Sequence, residues 1–161
     1  MNYEKASQSD ILECIKLKNN VISHLKSIGV NIWDEDYPSD ELIKNDILFS
    51  NARVVKNKGE IIAYLCFYDP NIEYKEYPFK EEKLYTFSRL MVKENYTRKH
   101  VGTFLVQNVL NEIRSIGVKG CGILVHPINK VAINFYNKIG FKFEQTKLYD
   151  FGTFDNFTFL F

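Results

Sequence analysis

Between residues 101 and 140 the chain reads helix, strand, helix, and the middle strand has no polar side chain. Val101, Phe104, Leu105, Val109, Ile113 and Ile116 recur at the spacing of one helical face. Gly117 and Gly120 bracket a turn, and Cys121–Val125 then forms a short, wholly apolar strand. A strand without a polar face has to be covered on both sides, as in crossover-connected sheets. Asn129 caps the next helix, which stops at Gly140. This stretch restricts the chain to an α/β architecture with a crossover in its second half.

The first half supplies antiparallel elements. A strand at Tyr3–Ala6 leads into Asp10-x-x-Glu13, which reads as a capping box. Cys14, Leu17, Val21, Leu25 and Ile28 follow as one helical stripe, ended by Gly29. Ser39 caps a second helix reaching about Phe49, with Asp40 and Glu41 in its first turn. Arg53–Lys56 and Glu60–Phe67 form a hairpin across Asn57-Lys58-Gly59. Polar Asp69–Glu82, with Pro70 and Pro78, reads as a surface loop. In the strand Leu84–Val92, simple alternation puts Leu84, Thr86, Ser88, Leu90 and Val92 on one face. Two closing strands, Phe141–Tyr149 and Thr153–Phe161, pair across Asp150-Phe151-Gly152. The order is β, α, α, β, β, β, α, β, α, β, β. There is no repeat or linker, so residues 1–161 are read as one domain.

An apolar content of 45%, with ten Tyr and thirteen Phe, suffices for a packed core. The 21 basic and 20 acidic residues nearly cancel, which gives no electrostatic case for a nucleic-acid or membrane partner. Cys14, Cys66 and Cys121 lack the spacing of a zinc site or redox motif, and His24, His100 and His126 lack metal-ligand spacing. Reduced thiols, no metal and a cytoplasmic location are expected. The opening residues carry no apolar signal core, and no run is long enough to span a membrane.

The segment with most chemical content runs from Leu90 to Thr103. A strand ends, a basic loop with Arg98, Lys99 and His100 follows, and a helix starts beside Gly102. Helix N-termini leave backbone N–H groups unpaired and carry partial positive charge, which suits a diphosphate. Leu90-x-Val92, Tyr96 and Thr97–Gly102 resemble the acetyl-CoA motif of the GNAT N-acetyltransferases, Arg/Gln-x-x-Gly-x-Gly/Ala. Gly102 fits the last position, whereas Thr97 and His100 depart from the first and the fourth. The resemblance implies that the amides of Arg98, Lys99, His100, Val101, Gly102 and Thr103 face the diphosphate. It also implies that the main chain of Leu90, Met91 and Val92 pairs with the pantetheine arm as an added strand.

The segment Asn129–Phe141 resembles the later motif of the same family: Asn129, Ala132, Phe135-Tyr136 and Gly140-Phe141. Read without the resemblance, it is a capped helix with an aromatic pair on its core face. The resemblance implies that Tyr136 is the general acid for the departing thiolate, that Asn129 holds the pantetheine amide, and that Phe135 belongs to the cofactor site. A phenol's reference pKa of about 10 lies above a thiol's roughly 8.5, so that proton transfer is only mildly uphill.

Trp33-Asp34-Glu35-Asp36-Tyr37-Pro38, with Asp46-Ile47, resembles a bacterial GNAT subgroup of unassigned substrate. In this fold the helix–loop–helix walls the acceptor site, so Glu35 would attract a cationic amine, with Trp33 or Tyr37 as a π face. The plain alternative is an exposed acidic turn with Trp33 in the core. Some members place a glutamate base on the fourth strand. Here that position is Thr86, which leaves a water relay to Glu35, Asp36 or Asp150. Arg89 reads as a salt-bridged structural arginine.

The expectation is a mixed, mostly antiparallel sheet of about six to seven strands with about four helices. The expected activity is direct acetyl transfer from acetyl-CoA to a primary amine, on a small molecule or a peptide, in a family whose domains often form homodimers. Thr97, His100 and the missing base motivate a second reading, a catalytically idle acyl-CoA-binding module. A dinucleotide-binding domain lacks its Gly-x-Gly-x-x-Gly turn.

Overall fold

A computed structural model describes residues 1–161. Seven strands and four helices alternate as β1 (Asn2–Lys5), α1 (Ile11–Ser27), α2 (Asp40–Leu48), β2 (Ala52–Asn57), β3 (Glu60–Tyr68), β4 (Leu84–Val92), α3 (Val101–Ser115), β5 (Gly120–Val125), α4 (Lys130–Ile139), β6 (Lys142–Tyr149) and β7 (Gly152–Leu160). The sheet order is β1-β2-β3-β4-β5-β7-β6. The β1–β2, β2–β3, β5–β7 and β6–β7 pairs are antiparallel, and β4–β5 is parallel, as a crossover through α3 requires. The expected mixed, mostly antiparallel sheet with four helices is the fold found.

The chain forms two compact units, each sharing part of β4. The first holds Met1–Phe67 and Arg89–Val109. Its core joins Cys14 and Leu17 of α1, Ile43 and Ile47 of α2, and Val54, Ile61, Tyr64 and Met91 from the strands, with Trp33 packed partly buried against it. The second unit holds Tyr68–Ser88 and Leu110–Phe161. There Phe87, Tyr136, Phe141 and Phe159 make a continuous series of ring contacts.

Three local expectations change. The capping box uses Ser7 and Asp10, three residues earlier than read, with the Ser7 amide donating to Asp10 Oδ2 at 2.8 Å. Glu13 instead accepts the Ile61 amide at 2.8 Å, since a first-turn carboxylate facing a strand can satisfy a tertiary donor. On α1 the buried set is Cys14, Leu17, Lys18 and Ile22, while Ile28 is exposed. Lys18 stays buried because its ammonium donates to Asp40. In β4 the alternation breaks: Thr86, Phe87, Arg89 and Met91 are the buried residues after Leu84. Arg89 has φ +57°, a left-handed kink inside the strand that shifts the phase of its side chains.

Candidate functional site

The turn ahead of α3 is built from two left-handed residues, Arg98 (φ +59°) and His100 (φ +60°). Such a conformation costs a residue with a Cβ roughly 1–2 kcal/mol, so it has to be imposed by its surroundings. Lys93 N–H donates to Ile62 O at 2.8 Å, and Tyr96 N–H to Lys93 O at 2.8 Å. Thr97 Oγ1 donates to Glu94 O at 2.8 Å, and Asn57 Nδ2 donates to the Tyr96 hydroxyl at 3.2 Å. These bonds fix the N-terminal side of the turn. His100 thus occupies the fourth motif position in the backbone conformation that glycine takes most easily.

The first backbone bond of α3 runs from Phe104 N–H to His100 O, at 2.9 Å. The amides of Val101, Gly102 and Thr103 precede it and have no intrahelical acceptor. No acid lies in the first turn of α3. Arg98, Lys99 and His100 are exposed, with Lys99 Nζ 5.6 Å from the Tyr96 ring centroid. Glu94, the nearest acid in sequence, faces His24 Nδ1 at 3.3 Å. Unpaired helix amides at an N-terminus beside the exposed Arg98 and Lys99 are the donor types that a diphosphate takes, so these residues fit one.

The strand leading to this turn is Leu90–Val92. The Met91 side chain is buried in the core of its unit, while Leu90 and Val92 are half-buried. The β4–β5 ladder pairs Leu84, Tyr85 and Thr86 with Gly120, Cys121 and Gly122, and no pair follows Thr86. Main chain beyond that point is therefore not used in that ladder.

Arg89, next to this strand end, is 5% exposed and meets Asp46, 6% exposed, through two parallel bonds. Nε donates to Oδ2 at 2.9 Å and Nη2 to Oδ1 at 2.8 Å. Tyr64 donates its hydroxyl to Asp46 Oδ2 at 2.7 Å, and Arg89 Nη1 donates to the Tyr37 hydroxyl at 3.2 Å. The structural reading of Arg89 holds, but its tie to Tyr37 was not visible in the sequence. One signal was available: Asp46 lies at helical spacing beside Ile43 and Ile47, where only a paired carboxylate is tolerated.

In the second unit, α4 starts with Asn129 Oδ1 accepting the Ala132 amide at 3.1 Å and ends at Gly140, φ +116°. The Tyr136 ring is enclosed by Phe87, Phe135 and Phe141, with centroids 5.8, 5.2 and 5.6 Å away. Burial pushes the phenol's pKa well up, with the nearby Cys121 adding to the effect. The phenol therefore keeps its proton throughout the physiological range. Phe135, the preceding residue of α4, is half-buried.

The acidic turn is braced within itself. Asp34 Oδ1 accepts the amides of Asp36 and Tyr37 at 2.9 and 3.0 Å, which lowers its pKa. Glu35 and Asp36 are exposed, Tyr37 is 44% exposed, and Trp33 is partly used in packing. Thr86 is wholly buried, and its hydroxyl has no partner in the chain. Asp150 is engaged by Lys75 at 2.6 Å, which holds its carboxyl below the usual range. No group of three or more His, Cys, Asp or Glu could hold a metal, and no helix is long and apolar enough to cross a membrane.

A family model described as Acetyltransferase (GNAT) family matches residues 20–141. The chain is 31% identical over 126 residues to a spermidine N(1)-acetyltransferase of Thermoplasma acidophilum, covering 76% of this chain and 73% of that one. A GNAT acetyltransferase structure from Streptococcus agalactiae superposes with TM-score 0.84 at 17% identity, covering 99% and 95% of the two chains. The PaiA N-acetyltransferase of Thermoplasma acidophilum, solved with coenzyme A, superposes with TM-score 0.75 at 20% identity over 99% and 98%.

Proposed function

Because this chain belongs to the GNAT acetyltransferase family, we propose that it moves acetyl from acetyl-CoA directly onto a primary amine of a small cationic acceptor. The observation that carries this reading is the turn at Arg98–Thr103, where two left-handed residues precede unpaired helix amides. Acetyl-CoA would supply an acyl group activated as a thioester. The amides of Val101, Gly102 and Thr103, with Arg98 and Lys99, would hold its diphosphate, and the main chain of Leu90–Val92 its pantetheine arm.

Tyr136 would be the proton donor. Its raised pKa keeps the hydrogen on the phenol oxygen, so a hydrogen bond to developing negative charge is available at every physiological pH, while full transfer of the proton to the thiolate is more uphill than the reference values imply. A covalent enzyme intermediate is disfavoured by the cysteines, which are all buried. Burial pushes the Cys14 thiol up to about 12 and the Cys121 thiol further, so neither forms a thiolate nucleophile at neutral pH.

The acceptor class rests on two supports. The curated relative acts on spermidine, and here the exposed Glu35 and Asp36 carboxylates stand beside the partly exposed Tyr37 ring. A polycation suits such a surface. The test is release of free CoA from acetyl-CoA with spermidine, amino acids, aminoglycosides and peptide N-termini. Turnover with polyamines above the others supports the reading. CoA binding with no turnover on any amine would replace it with the idle acyl-CoA-binding module.

A further inference from the structure

The residue that bends β4 just before the proposed carrier strand also holds the turn proposed to receive the amine. Arg89 has φ +57° and directly precedes Leu90–Val92. Its guanidinium is locked by two bonds to Asp46, and Tyr64 fills a further acceptor site on that carboxylate. The remaining terminal nitrogen, Nη1, reaches the Tyr37 hydroxyl at 3.2 Å. Tyr37 closes the turn that displays Glu35 and Asp36, through Asp34 N–H to Tyr37 O at 3.0 Å and the Asp34 side-chain bonds.

We propose that Arg89 is a positioning residue that couples carrier binding to the order of the 33–37 turn. The inference rests on the acetyl-CoA reading above. Main-chain pairing of a ligand with Leu90–Val92 would restrict the backbone at Arg89. The planar, forked guanidinium transmits that restriction because it has no freedom left once paired with Asp46. The Tyr37 hydroxyl receives it, and the turn gains order. Coupling is reciprocal, so an amine held by the turn would tighten carrier binding by the same factor. A glycine at position 89 would bend the strand equally well but would have nothing with which to reach Tyr37.

The experiment is hydrogen exchange of the peptide covering residues 31–38, with and without coenzyme A, in the wild type and in Tyr37→Phe, with CoA affinity measured by calorimetry on the same samples. Tyr37→Phe keeps the ring and deletes only the hydroxyl. Arg89→Lys is a second variant that keeps the charge and loses the fork. In the wild type, CoA should slow exchange of this peptide about fivefold or more, and the slowing should fall below about twofold in either variant. A purely structural role would change the ligand-free rate and leave the CoA-dependent ratio intact. If CoA binds and the ratio is equal in wild type and Tyr37→Phe, the coupling is refuted while the carrier site stands. If CoA does not bind the wild type, both the carrier reading and the coupling fall.

Discussion

Arg89 of β4 and Asp46 of α2, 43 positions apart in sequence, share two parallel hydrogen bonds of 2.9 and 2.8 Å, and both are more than nine-tenths buried. A buried pair of this kind adds little net stability when intact, because desolvation offsets attraction. Breaking it is another matter. Asp46→Ala should lose about 3–5 kcal/mol, since it leaves a guanidinium buried without its counter-charge. The check is a shift of the urea unfolding midpoint at unchanged slope.

His100→Gly should stabilise the protein. The native φ of +60° is costly for histidine and free for glycine. A gain of about 1 kcal/mol is expected, seen as a melting temperature higher by about 2–4 °C. Lys99→Gly has no left-handed strain to relieve and should give no gain. Equal behaviour of the two variants would show that the turn is not held as described.

Tyr136→Phe should fold normally, because its ring contacts to Phe87, Phe135 and Phe141 need no hydroxyl. Turnover should fall by about a hundredfold or more if the phenol is the proton donor. Because burial raises its pKa, the phenol should contribute no alkaline fall in kcat between pH 6 and about 10 in the wild type. Undiminished turnover in the variant would remove Tyr136 from the chemistry.

Stability should decline on the alkaline side. The folded pKa of Cys14 is raised to about 12, above its unfolded value of about 8.5, so its contribution is complete below that value and is lost as pH rises towards 12. Each buried thiol should cost at most about 1.4 kcal/mol per pH unit in that window. Cys14→Ala should flatten the slope of unfolding free energy against pH between 9 and about 11.

Gly120→Ala and Gly122→Ala should differ. A Cβ at Gly120 would sit 2.2 Å from the backbone oxygen of Phe159, whereas one at Gly122 would meet the Phe79 ring at 2.5 Å. A ring can yield, but a paired strand cannot. Both should destabilise, Gly122→Ala by about 1–3 kcal/mol and Gly120→Ala by more. Phe79→Leu should recover part of the Gly122→Ala loss and none of the Gly120→Ala loss, as thermal melts would show.

What the order of residues determined alone was local. Helical spacing in α1, α3 and α4, the caps at Ser39 and Asn129, the stop at Gly140 and the apolar run of β5 arise from neighbours a few positions apart, so periodicity exposed them. The two motifs around Gly102 and Tyr136 were legible for the same reason, because each is a contiguous segment. The alternation of β4 was misread, because Arg89 takes a left-handed conformation inside the strand and its guanidinium meets a carboxylate on a helix far away in sequence. Likewise Glu13 capped a distant strand instead of its own helix, and Tyr37 found a guanidinium 52 positions downstream. Buried charge has to be matched by whatever the folded chain brings within about 3 Å, and no local pattern in the sequence encodes that match.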